Sequence, residues 1–132
     1  MQQMGLGFEQ KGEILVLDSE QSNACVQYYP NFIIEPEVTN LLSELLSGVE
    51  WQAESLWIAG KERLVPRRVA WYGDPDAQYR YSGKLHQPLP WIEPLKRLKA
   101  MLQSELNTSF NSVLCNLYRD GKDSMGWHAD DE

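Results

Sequence analysis

Cysteine is scarce in this chain: Cys25 and Cys115 are the only two, far apart and outside any CxxC pattern. That excludes a disulfide framework and a four-cysteine zinc site. It fits a reduced, intracellular protein, cytoplasmic or nuclear according to its source, whose thiols are small buried apolar groups. Long apolar runs are missing too, none approaching the roughly eighteen residues that span a bilayer, so no membrane partner is expected. The N-terminal stretch MQQMGLGFEQKGE has no basic segment leading into an apolar one, which argues against secretion. There is no internal repeat, low-complexity tract or Gly/Ser/Pro-rich linker. What remains is 132 residues, 42% hydrophobic and 23% charged, the size and makeup of one folded domain.

The net charge of −7 speaks against a polyanionic partner until its distribution is considered. Residues 1–59 hold one basic side chain against nine acidic ones. Residues 60–99 reverse the balance, with nine basic against four acidic, and residues 100–132 return to two against six. A basic middle between acidic ends is suited to meet phosphates over one face, or is simply a solvated surface rich in Lys and Arg.

Periodicity organises the chain. Ile14–Leu17 and Val26–Tyr29 are short apolar runs, and Pro36 stands where the first turn of a helix accepts it. After it Val38, Leu41, Leu42, Leu45, Leu46 and Val49 recur at helical spacing, with Gly48 near the C-cap, and this apolar face is read as core. Trp51–Ile58 and Leu64–Tyr72 read as strands joined by a hairpin tip at Ala59-Gly60-Lys61. Gly73–Asp76 reads as a turn and Ser82–Pro90 as a loop closed by prolines, with His86 a surface residue within it. Pro94 opens a second helix carrying Leu95, Leu98, Leu102 and Leu106 on one stripe, and Trp71 and Trp91 are read as core. In the strand Phe110–Tyr118, alternation sets Leu114, Asn116 and Tyr118 on one side and Val113, Cys115 and Leu117 on the other. Asp120-Gly121 turns the chain, and Ser124–Asp130 is expected to resume in extended form.

His128 and Asp130, spaced i, i+2, point to the same side of an extended chain, close enough to share a metal ion. An imidazole and a carboxylate are two-thirds of the facial triad of non-haem iron oxygenases, although such a pair also arises often by chance. The surrounding run FNSVLCNLYRDGKDSMGWHADDE, from Phe110 to Glu132, closely resembles the metal-site region of the AlkB family. These are Fe(II)- and 2-oxoglutarate-dependent dioxygenases that repair alkylated nucleobases. The resemblance extends through VPRRVAWYGD (65–74), YRYSG (79–83) and Pro90-Trp91 with the helix after it, over roughly residues 28–132. Residues 1–27 then form an N-terminal extension to a single domain.

The resemblance implies an α+β, double-stranded β-helix (jelly-roll) fold with N-terminal helices packed on its sheet. It implies Fe(II) as cofactor, 2-oxoglutarate as co-substrate and alkylated DNA or RNA as partner. His128 and Asp130 correspond to iron ligands, and Asn116 and Tyr118 to hydrogen-bond partners of 2-oxoglutarate. Tyr81 corresponds to the aromatic that stacks on the flipped base, with Tyr79 and Ser82 beside the pocket or a phosphate. Glu132 matches the acidic residue reading the base's exocyclic edge, and Arg67 and Arg68 lie on the strand bordering the nucleic acid. Without the resemblance, Asn116 and Tyr118 read as cross-strand polar residues and Tyr79 and Tyr81 as a half-buried pair. Ala59 stands where relatives acting on duplex DNA carry a bulky wedge, a departure favouring single strands, whose bases are easier to extrude. The family's second iron histidine and its 2-oxoglutarate-binding arginines lie well downstream of the HxD pair, and no residue past Glu132 is present to match them. The sequence is therefore expected to be the N-terminal part of an AlkB-type demethylase of 1-methyladenine and 3-methylcytosine, not competent alone. The alternative is a non-catalytic nucleic-acid-binding fragment that keeps only the base-binding half.

Overall fold

A computed structural model describes residues 13–16, 25–81 and 84–128 of the chain, side chains excepted at 13–16, 25, 79–81 and 84. The chain divides into two compact units, residues 1–42 and 43–132. In the first, β1 (Glu13–Val16) pairs antiparallel with β2 (Cys25–Tyr28), Glu13 opposite Tyr28. The Tyr29 and Phe32 rings then meet edge to face, with centroids 6.2 Å apart.

Helix α1 (Glu37–Gly48) begins in this unit and ends in the second. Its first turn is held by Glu35, whose carboxylate accepts hydrogen bonds from the Thr39 hydroxyl at 2.7 Å and the Thr39 backbone N–H at 3.3 Å. A carboxylate there satisfies an orphan donor and complements the positive end of the helix dipole. Leu41 is buried and Leu45 half-buried, but Val38, Leu42 and Leu46 are exposed. The apolar face read as core is thus covered along one side only, because an apolar stripe is wider than the contact one partner provides.

The second unit is built on a sheet ordered β3-β4-β7, with β3 (Gln52–Ile58), β4 (Lys61–Gly73) and β7 (Ser112–Leu117) all antiparallel. The tip joining β3 to β4 has Ala59 at φ 52° and Gly60 at φ 75°, the two left-handed residues that a tight hairpin matching the strand twist requires. Between the Ala53–Arg68 and Ser55–Leu64 pairs only Glu54 opposes three residues, Val65, Pro66 and Arg67. Pro66 has no N–H to give a ladder, so a bulge is where a central strand tolerates it.

Alternation along β4 sends Ala70 and Tyr72 to one face, where they join Val49 and Leu95 as a buried cluster. Leu45 of α1, Trp91, and Val113 and Cys115 of β7 pack around it. Helix α2 (Glu93–Leu106) starts with Pro94 in its first turn, as its sequence predicts, and ends on Asn107 in the left-handed conformation. Tyr72 is 2% exposed, and its hydroxyl accepts a hydrogen bond from the Glu50 N–H at 2.9 Å. Burying a side chain of this size contributes about 2–3 kcal/mol, so this cluster anchors both helix ends to the sheet. Trp91 lies at its margin, half-buried, its indole N–H donating to Asp74 at 2.8 Å.

At Gly73 the chain passes so close to β7 that an added Cβ would lie 2.7 Å from the Asn111 carbonyl oxygen and 2.8 Å from the Ser112 Cβ. Residues 82–90, read as a loop, include a short strand, β6 (Lys84–His86), paired with β5 (Tyr79–Tyr81). Leu89 then bridges Tyr72: the Gly73 N–H donates to the Leu89 oxygen at 2.9 Å, and the Leu89 N–H to the Trp71 oxygen at 2.8 Å. The described residues therefore form an α+β arrangement of antiparallel strands and two helices, one sheet face covered by apolar side chains from the helices. Among them no helix is long and apolar enough to cross a membrane.

Candidate active site

The opposite face of the β3-β4-β7 sheet is open. Gln52, Glu54 and Leu56 from β3, Arg67, Val69 and Trp71 from β4, and Leu114 from β7 line a cavity of about 600 Å³ there, together with His86, Gln87 and Leu89. Residues directly opposite in an antiparallel ladder share a face. Asn116 is opposite Val69 and Leu114 opposite Trp71, so Asn116 stands on the cavity side. Tyr118, of the same parity and one residue past β7, is exposed. The ladder therefore sets Asn116 on the side that carries the cavity, while Tyr118 lies beyond the paired residues.

Arg67 is the cavity's main cation. Its side chain is 15% exposed, and its guanidinium lies 3.6 Å from the Glu54 carboxylate. Its Nε–H is buried without a hydrogen-bond partner, a donor whose desolvation is unrecompensed until a ligand or water reaches it. Arg68, the next residue along the strand, is exposed. The two arginines grouped by the sequence are thus separated by strand alternation, one lining the cavity and the other at the surface.

Past β7 the chain folds into a tight turn. The Lys122 N–H donates to the Asp120 carboxylate at 2.8 Å, and the Asp123 N–H to the Asp120 carbonyl at 3.2 Å. Arg119 then grips Asp123 through Nε–H to Oδ2 at 2.7 Å and a terminal N–H to Oδ1 at 3.0 Å, with its backbone N–H also donating to Oδ2 at 2.9 Å. A bidentate guanidinium–carboxylate pair fixes direction as well as distance. The Arg119 hydrogen bonds pull the Asp123 carboxyl down to about 2, and the same pairing raises the Arg119 pKa. Among the described residues beyond the turn one ladder-like bond forms, from the Ser124 N–H to the Pro66 oxygen at the bulge, 3.1 Å. Residues 124–128 are accordingly not a paired strand, contrary to the extended run expected there.

His128 is exposed, with Nδ1 2.8 Å from the Gly126 carbonyl oxygen. A carbonyl can only accept, so Nδ1 carries a proton in this contact, and Nε2 is the nitrogen through which a neutral ring so held would bind a metal. His128 therefore fits the role of a metal ligand. Its expected partner Asp130 lies outside the described residues, as do Ser82 and Glu132. Among the described residues no three His, Cys, Asp or Glu side chains gather as a metal site. Tyr79 and Tyr81 fall on β5, Tyr79 paired with His86. Cys115 is half-buried against the core, and that burial pushes its thiol pKa up, in keeping with an unreactive packing residue.

Two readings are corrected by this geometry. Trp71, taken as core, is on the cavity face, because its neighbours Ala70 and Tyr72 occupy the core side. His86, taken as a loop surface residue, is half-buried and lines the cavity, brought there by the β5–β6 pairing. Glu54 was not singled out at all, and only the bulge that puts it opposite Arg67 reveals it. The Arg119–Asp123 pair was also missed, although its i, i+4 spacing around Asp120-Gly121 is visible in the sequence.

Residues 25–132 match the family model described as the 2OG-Fe(II) oxygenase superfamily. The chain is 36% identical over 121 residues to the alpha-ketoglutarate-dependent dioxygenase alkB homolog 3 of Mus musculus, covering 91% of this chain and 41% of that protein. It is 38% identical over 99 residues to the DNA oxidative demethylase ALKBH2 of Homo sapiens, covering 73% of this chain and 38% of that protein. The chain thus spans about 40% of the length of these curated relatives. With its HxD segment inside the matched region and its strand parity consistent with the cavity, the chain belongs to the AlkB family of 2OG-Fe(II) oxygenases.

Proposed function

We propose that the chain serves the oxidative demethylation of N-alkylated nucleobases, such as 1-methyladenine and 3-methylcytosine, in DNA or RNA. The observation that carries this is the coincidence of the open cavity with the face bearing Asn116, on the strand that leads through the Arg119–Asp123 turn to His128. His128 through Nε2, with Asp130, holds Fe(II), while Asn116 and Tyr118 donate hydrogen bonds to 2-oxoglutarate. When bound, Fe(II) and 2-oxoglutarate would supply, together with dioxygen, the oxidising chemistry: one oxygen atom for the N-methyl carbon, which would be lost as formaldehyde, and the other for 2-oxoglutarate, which would become succinate and CO2. Arg67 and the aromatic side chains of the 65–81 segment meet the extruded base and its phosphates, and Glu132 reads the base's exocyclic edge. Val69, Trp71 and Leu114 give that space an apolar wall for a base to lie against. The double-stranded β-helix belongs to this same proposal, with the β3-β4-β7 sheet as one of its layers.

The test adds Fe(II) and 2-oxoglutarate to the chain without oxygen, then admits oxygen and a 1-methyladenine oligonucleotide. Formaldehyde release, with an unmethylated base recovered by mass spectrometry, supports the catalytic reading and overturns the expectation that the chain is not competent alone. Salt-sensitive binding of the methylated strand without formaldehyde would instead assign the chain a binding role and overturn the catalytic reading.

A further inference from the structure

The turn between Tyr118 and His128 has more structure than a connection needs. Three hydrogen bonds join Arg119 to the Asp123 carboxylate, at 2.7, 2.9 and 3.0 Å, and Asp123 is only 7% exposed although the turn lies at the surface. One residue before the clamp is Tyr118, and one residue after it the Ser124 N–H ties the chain to the Pro66 oxygen of β4. The segment leading to His128 is therefore fastened at Asp123 and Ser124, and the strand carrying Asn116 is fastened at Arg119. Five residues without ladder pairing would otherwise leave the two ends free to move independently.

We infer that the Arg119–Asp123 pair is a positioning device that sets the segment leading to His128 at a fixed place relative to the co-substrate residues Asn116 and Tyr118. This rests on the assignment of His128 to the metal and of Asn116 and Tyr118 to 2-oxoglutarate. Neither Arg119 nor Asp123 touches a reactant; each acts through the backbone it holds. Groups that position metal ligands typically change metal affinity 10- to 100-fold when removed, although they ligate nothing. A pair serving only the stability of an exposed turn would leave that affinity untouched.

The experiment uses the full chain and Mn(II) as the probe, with free Mn(II) counted by electron paramagnetic resonance, with and without 2-oxoglutarate. Arg119→Ala and Asp123→Ala are expected to weaken Mn(II) binding about 10- to 100-fold and to reduce the gain in affinity that 2-oxoglutarate gives. Arg119→Lys, which keeps the charge but not the fork, is expected to recover only part of the loss. Circular dichroism melts run alongside, and variants melting with the parent isolate the effect on the site from unfolding. Mn(II) affinity unchanged in all three variants, with the parent binding Mn(II), overturns the positioning role and leaves the proposed function standing. A parent chain that binds no Mn(II) with 2-oxoglutarate present overturns the metal assignment, and the positioning role falls with it.

Discussion

Gly73 is the position at which a single added methyl group should be most damaging for its size. Its Cβ would meet the Asn111 carbonyl oxygen at 2.7 Å, the Ser112 Cβ at 2.8 Å and the Ser112 Cα at 3.1 Å. Two of these atoms are backbone, so relief requires β4 and β7 to separate rather than a side chain to rotate. Separation strains the Gly73–Ser112 pair and the 2.8 Å bond from the Asp74 N–H to the Asn111 oxygen. Overpacking of this kind costs about 1–3 kcal/mol, and one weakened backbone hydrogen bond adds about 1 kcal/mol. Gly73→Ala is therefore expected to destabilise by about 2–4 kcal/mol, measured by urea unfolding followed by tryptophan fluorescence. Gly48→Ala is the matched control: its Cβ meets nothing within 4 Å and it ends a helix, so the change should be neutral or stabilise by up to about 1 kcal/mol. Equal stability of Gly73→Ala and the parent would refute the close approach of β4 to β7, and with it the placement of the strand that carries Asn116.

Other consequences are open to equally direct measurement. Trp91→Phe removes the donor to Asp74 while keeping most of the ring's packing, and should cost about 1–2 kcal/mol in the same unfolding assay; a loss under 0.5 kcal/mol would show the bond contributes little. Asp123, held at about 2, supports its turn fully above the ordinary carboxylate range and loses that contribution progressively as the pH falls from that range to about 2. Its side-chain carboxyl carbon, followed by nuclear magnetic resonance, should titrate well below its neighbours, and a midpoint near 4 would contradict the clamp. Asn116→Ala, at an exposed site, should leave the melting temperature within a degree or two while weakening 2-oxoglutarate binding in the presence of Mn(II) about 10- to 100-fold, the value of a hydrogen bond to a charged group; an unchanged Kd would remove Asn116 from the site.

Local chemistry made much of this fold legible. Ala59-Gly60 announced the hairpin, Pro94 the start of α2, and the alternation of Val113 and Cys115 against Leu114 and Asn116 gave the two sides of β7. What alternation cannot give is which side another element covers. Trp71 is as apolar as Tyr72, and only the packing of Leu45 and Leu95 decides that Tyr72 is inside. The bulge at Val65–Arg67 breaks the period of two, so Arg67 could not be matched to Glu54 by counting. His86 needed a tertiary pairing to bring it to the cavity. At the site, the HxD motif named His128, but the choice of Nε2 as its metal-binding nitrogen depends on the Gly126 carbonyl, a contact with no signature in residue types.

The continuous pairing of β4 gives the sheet an order of opening. From Arg68 to Gly73 the strand is bonded on its β7 side throughout, while its other side passes from β3 to Leu89. Its amides there, with Tyr72 at the centre of the core, should be the last to exchange with solvent deuterium. The pairs Ile58–Lys61 and Trp57–Glu62 at the hairpin end have no third strand and can part on their own. The bulge beside Glu54 marks where such fraying stops, because past it the strand is also held by β7. The end of the hairpin can thus open and close many times over the protein's life without loosening the strand against which Asn116 is set.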